Sequence, residues 1–307
     1  MEKISRIAVI GSNMVDLVTN ITRMPKLGET LEAPDFDLGC GGKGANQAIA
    51  AAKLGADVLM LSKVGDDIFA DNTIKNFKDY NIDTKYVKKV SNTTSGVAPI
   101  FVDSDARNSI LIVKGANNDL KPDDIDEASE DLKKCDMIIL QLEIPLETVY
   151  YAITFGSENN IPVILNPAPG AELDYNFVSK VSIFIPNETE LELITGMSVQ
   201  TIGEIEIAAK TIIDRGVKSV IVTLGKRGSM LVEEGRVKIV PSIEVESKDT
   251  TGAGDAFIGS FANYLIKTGD IIRSMKYASQ YAGFSTLNTG TQKSFYSKEE
   301  FEKVVQD

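Results

Sequence analysis

Strand-like and helix-like segments alternate along most of this 307-residue chain. Short runs rich in Val, Ile and Leu are each followed by a longer segment with helical periodicity. This order favours an α/β fold in which helices flank a mainly parallel sheet. The predicted strands are Arg6–Ile10, Asp57–Val64, Asp136–Leu142, Pro162–Leu165, Val181–Ile185 and Ser219–Thr223. The predicted helices are Ala45–Leu54, Asp67–Tyr80, Leu146–Ser157, Ile202–Asp214 and the mostly helical stretch Ala253–Leu287.

Residues 15–40 and 94–114 interrupt this alternation, because they are strand-like without an intervening helix. Val97–Val102 and Ser109–Val113 flank the polar run Asp103–Asn108, which is typical of a β-hairpin. We expect these stretches to form one small sheet that covers a cleft as a lid and excludes water. The alternative is an antiparallel edge of the main sheet. Residues 1–307 are predicted to form a single domain carrying this lid.

Composition excludes several classes of function. The net charge of −12 disfavours a nucleic-acid partner, since such binding depends on neutralising phosphates. Histidine is absent, which removes His-dependent triads and His-based metal sites. No apolar run reaches membrane-spanning length, so no membrane partner is expected. Two cysteines, Cys40 and Cys135, provide no disulfide framework, and a cytoplasmic location is predicted.

The segment Asp249–Asp255 reads Asp-Thr-Thr-Gly-Ala-Gly-Asp and leads into an apolar segment that is predicted to be a helix. The first amides of a helix lack internal partners and carry partial positive charge. Gly252 and Gly254 allow a ligand to approach that backbone closely. Asp255 would lie beside the ligand and take a proton from an alcohol. An anion cradle next to a base is what phosphoryl transfer to a hydroxyl requires.

A second glycine cluster, Gly39–Gln47, contains the order G-x-G-x-x-G. That order indicates dinucleotide binding only after the opening strand of a βαβ unit, and the opening strand here already ends at Gly11. The polar side chains of Lys43, Asn46 and Gln47 instead favour direct contact with a hydroxylated ligand. A glycine-rich helix start without a ligand is the alternative.

Two further motifs follow strands, and ligands gather at the carboxyl ends of parallel strands. Asn187 and Glu190 fit a helix cap with a capping box, or place Glu190 near a Mg²⁺-bound phosphate through water. After Thr223, Gly225 and Gly228 permit tight backbone beside a flat ligand such as a nucleotide.

Together these motifs resemble the ribokinase group of the PfkB carbohydrate kinases, in order and spacing, over essentially the whole chain. The segments that carry the resemblance are Gly11–Asp16, Gly41–Asn46, Asn166–Pro169, Asn187–Glu190, Thr223–Gly225 and Asp249–Asp255.

The resemblance implies an ATP-dependent kinase with Asp255 as the base on a sugar hydroxymethyl group. The anion hole is implied to be the amides of Gly252, Ala253 and Gly254. Implied sugar ligands are Asp16, Gly42, Lys43, Asn46 and Glu143. The implied ATP site comprises Asn187, Thr223, Gly225, Gly228, Gly254 and Ser279. Mg²⁺ would lie near Glu190, and K⁺ would be held by Asp249, Thr251, Ser285, Asn288, Gly290 and Ser294. Family members form homodimers through their small sheets. The helix N-terminus is expected to keep Asp255 ionised and only modestly basic.

One departure from the family pattern bears on the substrate. Ribose kinases of this group usually carry Asn where this chain has Met14, and related 2-deoxyribose kinases carry Met there. A thioether accepts hydrogen bonds weakly, so a ribose hydroxyl against it would be desolvated at a cost of roughly 1–3 kcal/mol. This favours 2-deoxy-D-ribose over D-ribose. Alternatively, Met14 only packs the strand, or Asn13 takes the polar role.

The expected reaction is therefore phosphorylation of a pentose at its 5-hydroxyl. A nucleoside kinase would stack its base on Phe36 or Phe101. A sugar-phosphate kinase would need cations near the lid, and Arg107 and Lys114 are the candidates. A catalytically silent sugar sensor is the non-enzyme alternative, which the retention of Asp255 in its glycine cradle disfavours.

Overall fold

The computed structural model describes residues 4–103 and 108–306. The strands in these ranges are β1 (Arg6–Ile10), β2 (Met14–Asn20), β3 (Asp35–Gly41), β4 (Asp57–Val64), β5 (Asp83–Lys89), β6 (Val97–Val102), β7 (Asn108–Ile110), β8 (Met137–Leu140), β9 (Val163–Leu165), β10 (Ile183–Phe184), β11 (Ser219–Thr223), β12 (Ser229–Glu233) and β13 (Arg236–Val240). The α-helices are α1 (Lys43–Lys53), α2 (Ala70–Asp79), α3 (Pro122–Leu132), α4 (Leu146–Glu158), α5 (Tyr175–Val178), α6 (Glu188–Thr195), α7 (Ile202–Asp214), α8 (Ala253–Thr268), α9 (Ile271–Ser285) and α10 (Lys298–Phe301).

The large sheet has the order β13-β12-β11-β10-β9-β8-β1-β4-β5, and every pair from β11 to β5 is parallel. The predicted α/β fold with a mainly parallel sheet is confirmed. At one edge β12 and β13 form an antiparallel hairpin, which the sequence analysis did not predict. β8 and β10 are shorter than predicted, because the chain leaves the sheet before Leu142 and Ile185.

The sheet separates two apolar layers, since successive side chains of a strand point to opposite faces. In β1, Ala8 and Ile10 pack into one layer, whereas Ile7 and Val9 pack into the other. The first layer is completed by α3, α4 and α7, and the second by α1, α2, α8 and α9. This arrangement buries α1 and α8 side by side and brings their N-termini to the same edge of the sheet.

A separate four-stranded sheet has the order β3-β2-β6-β7. β2 is antiparallel to β3 and parallel to β6. The predicted small sheet is therefore present, and the alternative of an antiparallel edge on the main sheet is wrong. β7 is shorter than the predicted Ser109–Val113, although Val113 still bridges to Val97. The tip of the predicted hairpin, with Arg107, lies outside the described residues.

The two sheets meet where β1 leads into β2 and β3 leads into α1. Gly42, the N-cap of α1, has φ +91°, and a Cβ there would lie 2.7 Å from the backbone nitrogen of Met14. At Gly44 a Cβ would lie 2.6 Å from the backbone nitrogen of Ser12. Both positions therefore require glycine, because backbone segments from the two sheets cross there without room for a side chain.

Within residues 4–103 and 108–306, no helix combines the length and the apolar character needed to cross a membrane.

Candidate active site

A cleft opens at the carboxyl ends of the central parallel strands, where the N-termini of α1, α6 and α8 converge. Such edges are where open α/β sheets bind their ligands. The residues that line this cleft are Lys43, Asn166, Ile185, Asn187, Glu190, Thr223, Gly252, Gly254, Asp255 and Ile258.

Asp255 lies in the first turn of α8, just after the N-cap Gly252, and its residue is only 8% exposed. Each carboxylate oxygen accepts one side-chain amide from α1. Asn46 Nδ2 donates to Oδ2 at 2.9 Å, and Gln47 Nε2 donates to Oδ1 at 2.9 Å. The carboxylate is therefore held at the floor of the cleft, between α1 and α8.

Burial raises the pKa of Asp255, although Lys43, Asn46 and Gln47 act in the opposite direction. The expectation that the helix N-terminus would leave Asp255 a weak base is therefore wrong in sign. The N-terminal position could be read from the sequence, whereas the depth of burial could not. Because a higher pKa means a stronger base once the proton is lost, the correction favours proton abstraction.

The turn before α8 presents backbone nitrogens to the cleft. Gly252 has φ +77°, which admits glycine readily and few other residues. The amide of Ala253 donates to the Thr250 carbonyl at 3.2 Å. Among the described residues, the amides of Gly252 and Gly254 have no acceptor. Two of the three predicted cradle amides are therefore available to an anion in this structure.

Lys43 and Glu143 join α1 to the end of β8. Glu143 Oε2 accepts the Lys43 amide at 3.0 Å and the Ser12 hydroxyl at 2.5 Å. Burial alone would lower the pKa of the Lys43 ammonium, but the carboxylates of Asp255 and Glu143 outweigh it and raise that pKa. The side chain therefore keeps its positive charge inside the cleft.

Asp16 projects from β2 towards the same group of carboxylates. Burial raises its pKa from 3.8 to about 7, with repulsion from Glu143 and Asp255 adding to the effect. A side chain at Gly41 would overlap the Asp16 carboxylate, so glycine makes room for it. The carboxylates of Asp16, Glu143 and Asp255 thus lie close enough to repel one another, and the Lys43 ammonium interacts with two of them.

This pKa predicts a pH-dependent stability for the ligand-free protein. Between about pH 4 and pH 7 folded Asp16 keeps a proton that the unfolded chain has lost, so its contribution to the free energy of unfolding falls as the pH rises. Asp16→Asn should therefore raise the melting temperature at about pH 8 and leave it nearly unchanged at about pH 4.

Thermal unfolding at a series of pH values checks this expectation. Asp37→Asn is the matched control, because Asp37 is an exposed carboxylate on the neighbouring strand β3. An Asp16→Asn variant whose melting temperature differs from wild type equally at both ends of the series would contradict it.

Met14 and Asp16 lie two positions apart on β2 and so share a face. Met14 is 2% exposed, and its sulfur lies 3.7 Å from Nδ2 of Asn117. That same amide nitrogen donates to the Asn13 carbonyl at 2.7 Å, while Asn117 Oδ1 accepts the Asn13 amide at 3.0 Å. The Asn13 backbone and the Asn117 side chain are therefore paired at the base of the small sheet, whereas Asn13 Oδ1 is buried without a hydrogen-bond partner among the described residues. Met14 supplies apolar surface beside them.

A second, larger cleft of about 690 Å³ continues from the N-terminus of α8 towards β12 and α9. All the residues predicted to bind the nucleotide line it, namely Asn187, Thr223, Gly225, Gly228, Gly254 and Ser279. Ala253 also lines it. A volume in this range is that of pockets for small molecules and cofactors. Asn187, Thr223 and Gly254 line both clefts, which therefore adjoin each other.

The sequence left two roles open for Asn187 and Glu190, and the structure shows the first of them, the helix cap. Asn187 Oδ1 accepts the Glu190 amide at 2.8 Å and Glu190 Oε2 accepts the Asn187 amide at 2.9 Å, which is a complete capping box. Glu190 nevertheless lines the cleft, where burial raises its pKa while the Asn187 amide and Lys43 oppose the rise.

The predicted cation ligands are only partly brought together. Asp249 accepts the Thr251 amide at 2.9 Å and the Gly290 amide at 3.0 Å, so it joins the loop before α8 to the loop after α9. Ser285 and Ser294 instead donate their hydroxyls within their own segments, to the carbonyls of Ala282 and Thr291 at 2.8 Å each, and Asn288 is exposed. Among the described residues no group of three or more acidic or Cys side chains could hold a metal ion.

Comparison with known proteins decides the family. The model of the pfkB family carbohydrate kinases matches residues 4–298. The chain belongs to this family. It is therefore a phosphotransferase that uses an alcohol group of a carbohydrate as acceptor.

Individual relatives of this pfkB family kinase agree in length and fold. The chain is 57% identical to a deoxyribokinase of Salmonella typhi, with 97% of this chain and 98% of that protein covered. It is 36% identical to mouse ribokinase, with 97% and 94% covered. Arabidopsis thaliana ribokinase, solved in complex with ribose and ATP, superimposes with a TM-score of 0.91 at 30% identity over 98% of each chain.

Some residues of the two clefts in this pfkB family kinase were missed by the sequence analysis. The segment 242–247 forms one wall of the larger cleft, together with Phe257, Ala282 and Gly283. Its Ser-Ile-Glu-Val-Glu-Ser sequence alternates as in a short strand, but no glycine pattern marks it as part of a binding site. Gln47 was noted as polar but not placed at Asp255, and Gln141 and Gln292 were not noted at all. Their neighbourhood depends on contacts between distant parts of the chain.

Proposed function

We propose that this kinase transfers the γ-phosphoryl group of ATP to the 5-hydroxyl of a pentose, and that it prefers 2-deoxy-D-ribose to D-ribose. The observation that carries the proposal is the position of Asp255. This buried carboxylate lines the cleft that also holds Lys43, and it follows Gly254, which lines both this cleft and the cleft of nucleotide size. The similarity to a deoxyribokinase and to ribokinases supports a pentose as acceptor.

In the proposed reaction an oxygen of Asp255 takes the proton of the 5-hydroxyl as the alkoxide oxygen bonds to the γ-phosphorus. The bond from that phosphorus to the β–γ bridging oxygen breaks, and ADP leaves with the electron pair. The free amides of Gly252 and Gly254 would hydrogen-bond the equatorial oxygens of the transferred group. Lys43, charged and buried, would offset the negative charge that an acidic protein otherwise concentrates there.

Mg²⁺ bound to the nucleotide would neutralise charge on the β- and γ-phosphates. The residues present fit such an ion indirectly, because Glu190 presents a carboxylate to the cleft near Lys43. Mg²⁺ keeps several waters, so one carboxylate reached through water and the phosphates themselves suffice. The lack of a ready cluster of acidic ligands in the described ranges agrees with this arrangement.

We also propose a monovalent cation, K⁺, between the loop of Asp249 and the loop of Gly290. The link through Asp249 supports it, since the same carboxylate fixes the backbone immediately before the anion cradle. Carbonyl oxygens, Asn288 and the hydroxyls of Thr251, Ser285 and Ser294 would complete the oxygen ligands after local adjustment.

The cation proposal predicts that replacing K⁺ with tetramethylammonium at constant ionic strength lowers kcat by about tenfold or more, because the cradle loses its support. Steady-state ADP release measures the effect. Choline chloride serves as a second bulky cation, and equal rates in K⁺ and in both organic cations would remove the cation from the mechanism.

Met14 supports 2-deoxyribose as the substrate. Its side chain shares the face of β2 that carries Asp16, and it adds apolar surface beside the hydrogen bonds between the Asn13 backbone and the Asn117 side chain. A sugar hydroxyl facing Met14 would lose water without gaining a hydrogen bond, whereas a CH₂ group would lose nothing.

Met14→Asn should therefore shift the ratio of kcat/KM for 2-deoxyribose over ribose towards ribose, by roughly five- to a hundredfold. Met14→Leu, which keeps the volume and remains apolar, should leave the ratio within about threefold of wild type. Coupled assays with both pentoses measure the ratio. A wild-type preference for ribose above about tenfold would overturn the assignment of 2-deoxyribose.

The other substrates considered receive less support. Lys114, one of two cations suggested for a sugar phosphate, donates its ammonium to the Leu142 carbonyl at 3.1 Å. Arg107 lies outside the described residues. Phe36 is 56% exposed, which leaves it available to a nucleoside base, and assaying nucleosides beside the pentoses tests that alternative.

We propose a homodimer formed through the small sheets, with each sheet acting as a lid over its own cleft. The exposed apolar side chains on this sheet and its extension support the proposal, and they are Phe36, Leu38, Ile110, Leu111, Ile112 and Val113. Sedimentation velocity of wild type and of Phe36→Ser tests it, and a wild-type protein that sediments as a monomer would rule it out.

A further inference from the structure

We infer that two chains of side-chain amides position the carboxylate of Asp255, with Gln292 at the head of one chain and Gln141 at the head of the other. Neither glutamine faces the nucleotide or contacts Asp255 itself. Each acts through the amide that does contact it. The inference rests on the proposed role of Asp255 as the base.

The first chain reaches Asp255 through Asn46. Gln292 Nε2 donates to Asn46 Oδ1 at 2.9 Å, and Asn46 Nδ2 donates to Asp255 Oδ2 at 2.9 Å. Gln292 is fixed in turn from two sides. Its Oε1 accepts Asn76 Nδ2 at 2.9 Å, and its backbone carbonyl accepts the Lys53 ammonium at 3.2 Å. Gln292 is 4% exposed, so no bulk water competes for these groups.

The second chain reaches Asp255 through Gln47. Gln141 Nε2 donates to Gln47 Oε1 at 2.7 Å, and Gln47 Nε2 donates to Asp255 Oδ1 at 2.9 Å. The same Gln47 nitrogen approaches Asn166 Oδ1 at 3.2 Å, whose own Nδ2 donates to the Ile185 carbonyl at 2.9 Å. Gln47 and Gln141 are both fully buried.

In both chains the hydrogen bonds depend on which way each side-chain amide is turned. A side-chain amide has a donor end and an acceptor end, and a flipped Asn46 or Gln47 would present an oxygen to the carboxylate. A donor at the far oxygen of each amide prevents that flip. Gln292 and Gln141 supply these two donors, so the oxygens of Asp255 each meet an N–H.

An unpaired oxygen marks the Gln141 chain as more than packing. Gln141 Oε1 is buried and has no hydrogen-bond partner among the described residues. Buried polar atoms are rarely left unpaired, and a hydrophobic residue at this position would avoid that cost. The donor end of Gln141 is the end that is used, which is what orienting Gln47 requires.

The test uses Gln141→Met and Gln292→Met, which keep the side-chain length and remove the donor. Each should lower kcat by roughly tenfold to a hundredfold, because a misaligned base loses its geometry, while the KM for ATP stays within about twofold. The acid limb of the profile of kcat/KM against pH should move to higher pH, since a flipped amide oxygen disfavours the ionised carboxylate.

Gln280→Met is the matched control. Gln280 is equally buried, and its amide bonds to the backbone of Gln306 at 2.7 Å and 2.8 Å, away from Asp255. It should lower the melting temperature without moving the acid limb. Variants at 141 and 292 that keep the wild-type pH profile and kcat would overturn the inference. If one of the two variants does not fold, the other is sufficient for the test.

A readout without turnover separates this inference from the proposed function. In ¹³C- and ¹⁵N-labelled wild-type protein, the side-chain amides of Gln141 and Gln292 should shift with the same midpoint as the Asp255 carboxyl as pH is varied. If the amide signals do not change over this pH range, the two amide chains are not coupled to Asp255, and the inference is wrong even if Asp255 is the base. Conversely, if an Asp255→Asn variant remained active, Asp255 would not be the base. The coupled titration observed in the wild-type protein would still support the two amide chains.

Discussion

Asp255→Asn should lower kcat by about 10²–10⁴-fold, the range that a positioned general base contributes, while the pentose still binds. The amide has nearly the shape of the carboxylate, so the cleft keeps its walls, but it cannot accept the proton of the alcohol. Its nitrogen would also face one of the two amide donors from α1. ADP release measures turnover, and isothermal titration calorimetry measures binding of the sugar.

Asp270→Asn provides the control. Asp270 caps α9 and accepts the amides of Ile272 at 2.9 Å and Arg273 at 3.0 Å. Asn caps helices about as well as Asp, so this variant changes the same functional group on the neighbouring helix and should keep wild-type turnover. If Asp255→Asn retained kcat within about tenfold of wild type, another residue would have to be the base.

Gly254→Ala should separate stability from catalysis. Gly254 is the second residue of α8, and a Cβ there would meet no protein atom within 4 Å. Because Ala is the better helix former, the free energy of unfolding should rise by about 0.5–1 kcal/mol. The same methyl group would project where the two clefts meet, displacing the phosphoryl group from the cradle. We expect kcat to fall by about 10²–10³-fold, as when an oxyanion donor is lost.

Gly203→Ala matches this change closely. Gly203 is the second residue of α7, is exposed, also has open space around its Cα, and lines neither cleft. It should gain similar stability with unchanged kinetics. Equal kcat in both variants would mean that no ligand approaches Gly254. Gly252→Ala could not make this distinction, because its φ of +77° and the overlap with Thr291 would disturb the fold itself.

Much of the fold could be predicted because its strands are short apolar runs with sharp ends. β1, β4 and β11 match their predicted bounds, and α7 does so as well. The missed elements include a buried strand as well as exposed ones, since Met230, Leu231 and Val232 of β12 are fully buried. α3 is largely acidic and contributes only Ile125, Ala128 and Leu132 to the core. β13 is an edge strand exposed at four of its five residues, although Arg236–Ile239 alternates polar and apolar side chains as a strand does.

The candidate site likewise has one part that the local sequence predicts and another part that it does not. The helix start at Gly252 and the proposed base, Asp255, lie within one helical turn of the chain, so the sequence reveals them together. The amide chains join residues 94, 208 and 246 positions apart, and no local pattern reports such distances. The raised pKa of Asp255 was missed for the same reason, since burial is a property of the assembled layers.

The glycines at the seam between the two sheets limit how such an enzyme can be diversified. At Gly42 and Gly44, and also at Gly96, an added methyl group would collide with main chain from the opposite side. Attempts to redesign the preference for the sugar acceptor therefore cannot introduce side chains at these three glycines. They have to work through existing side chains instead, and on this face of β2 the uncharged neighbour of Asp16 is Met14. A library at Met14 would leave the glycines of this junction in place.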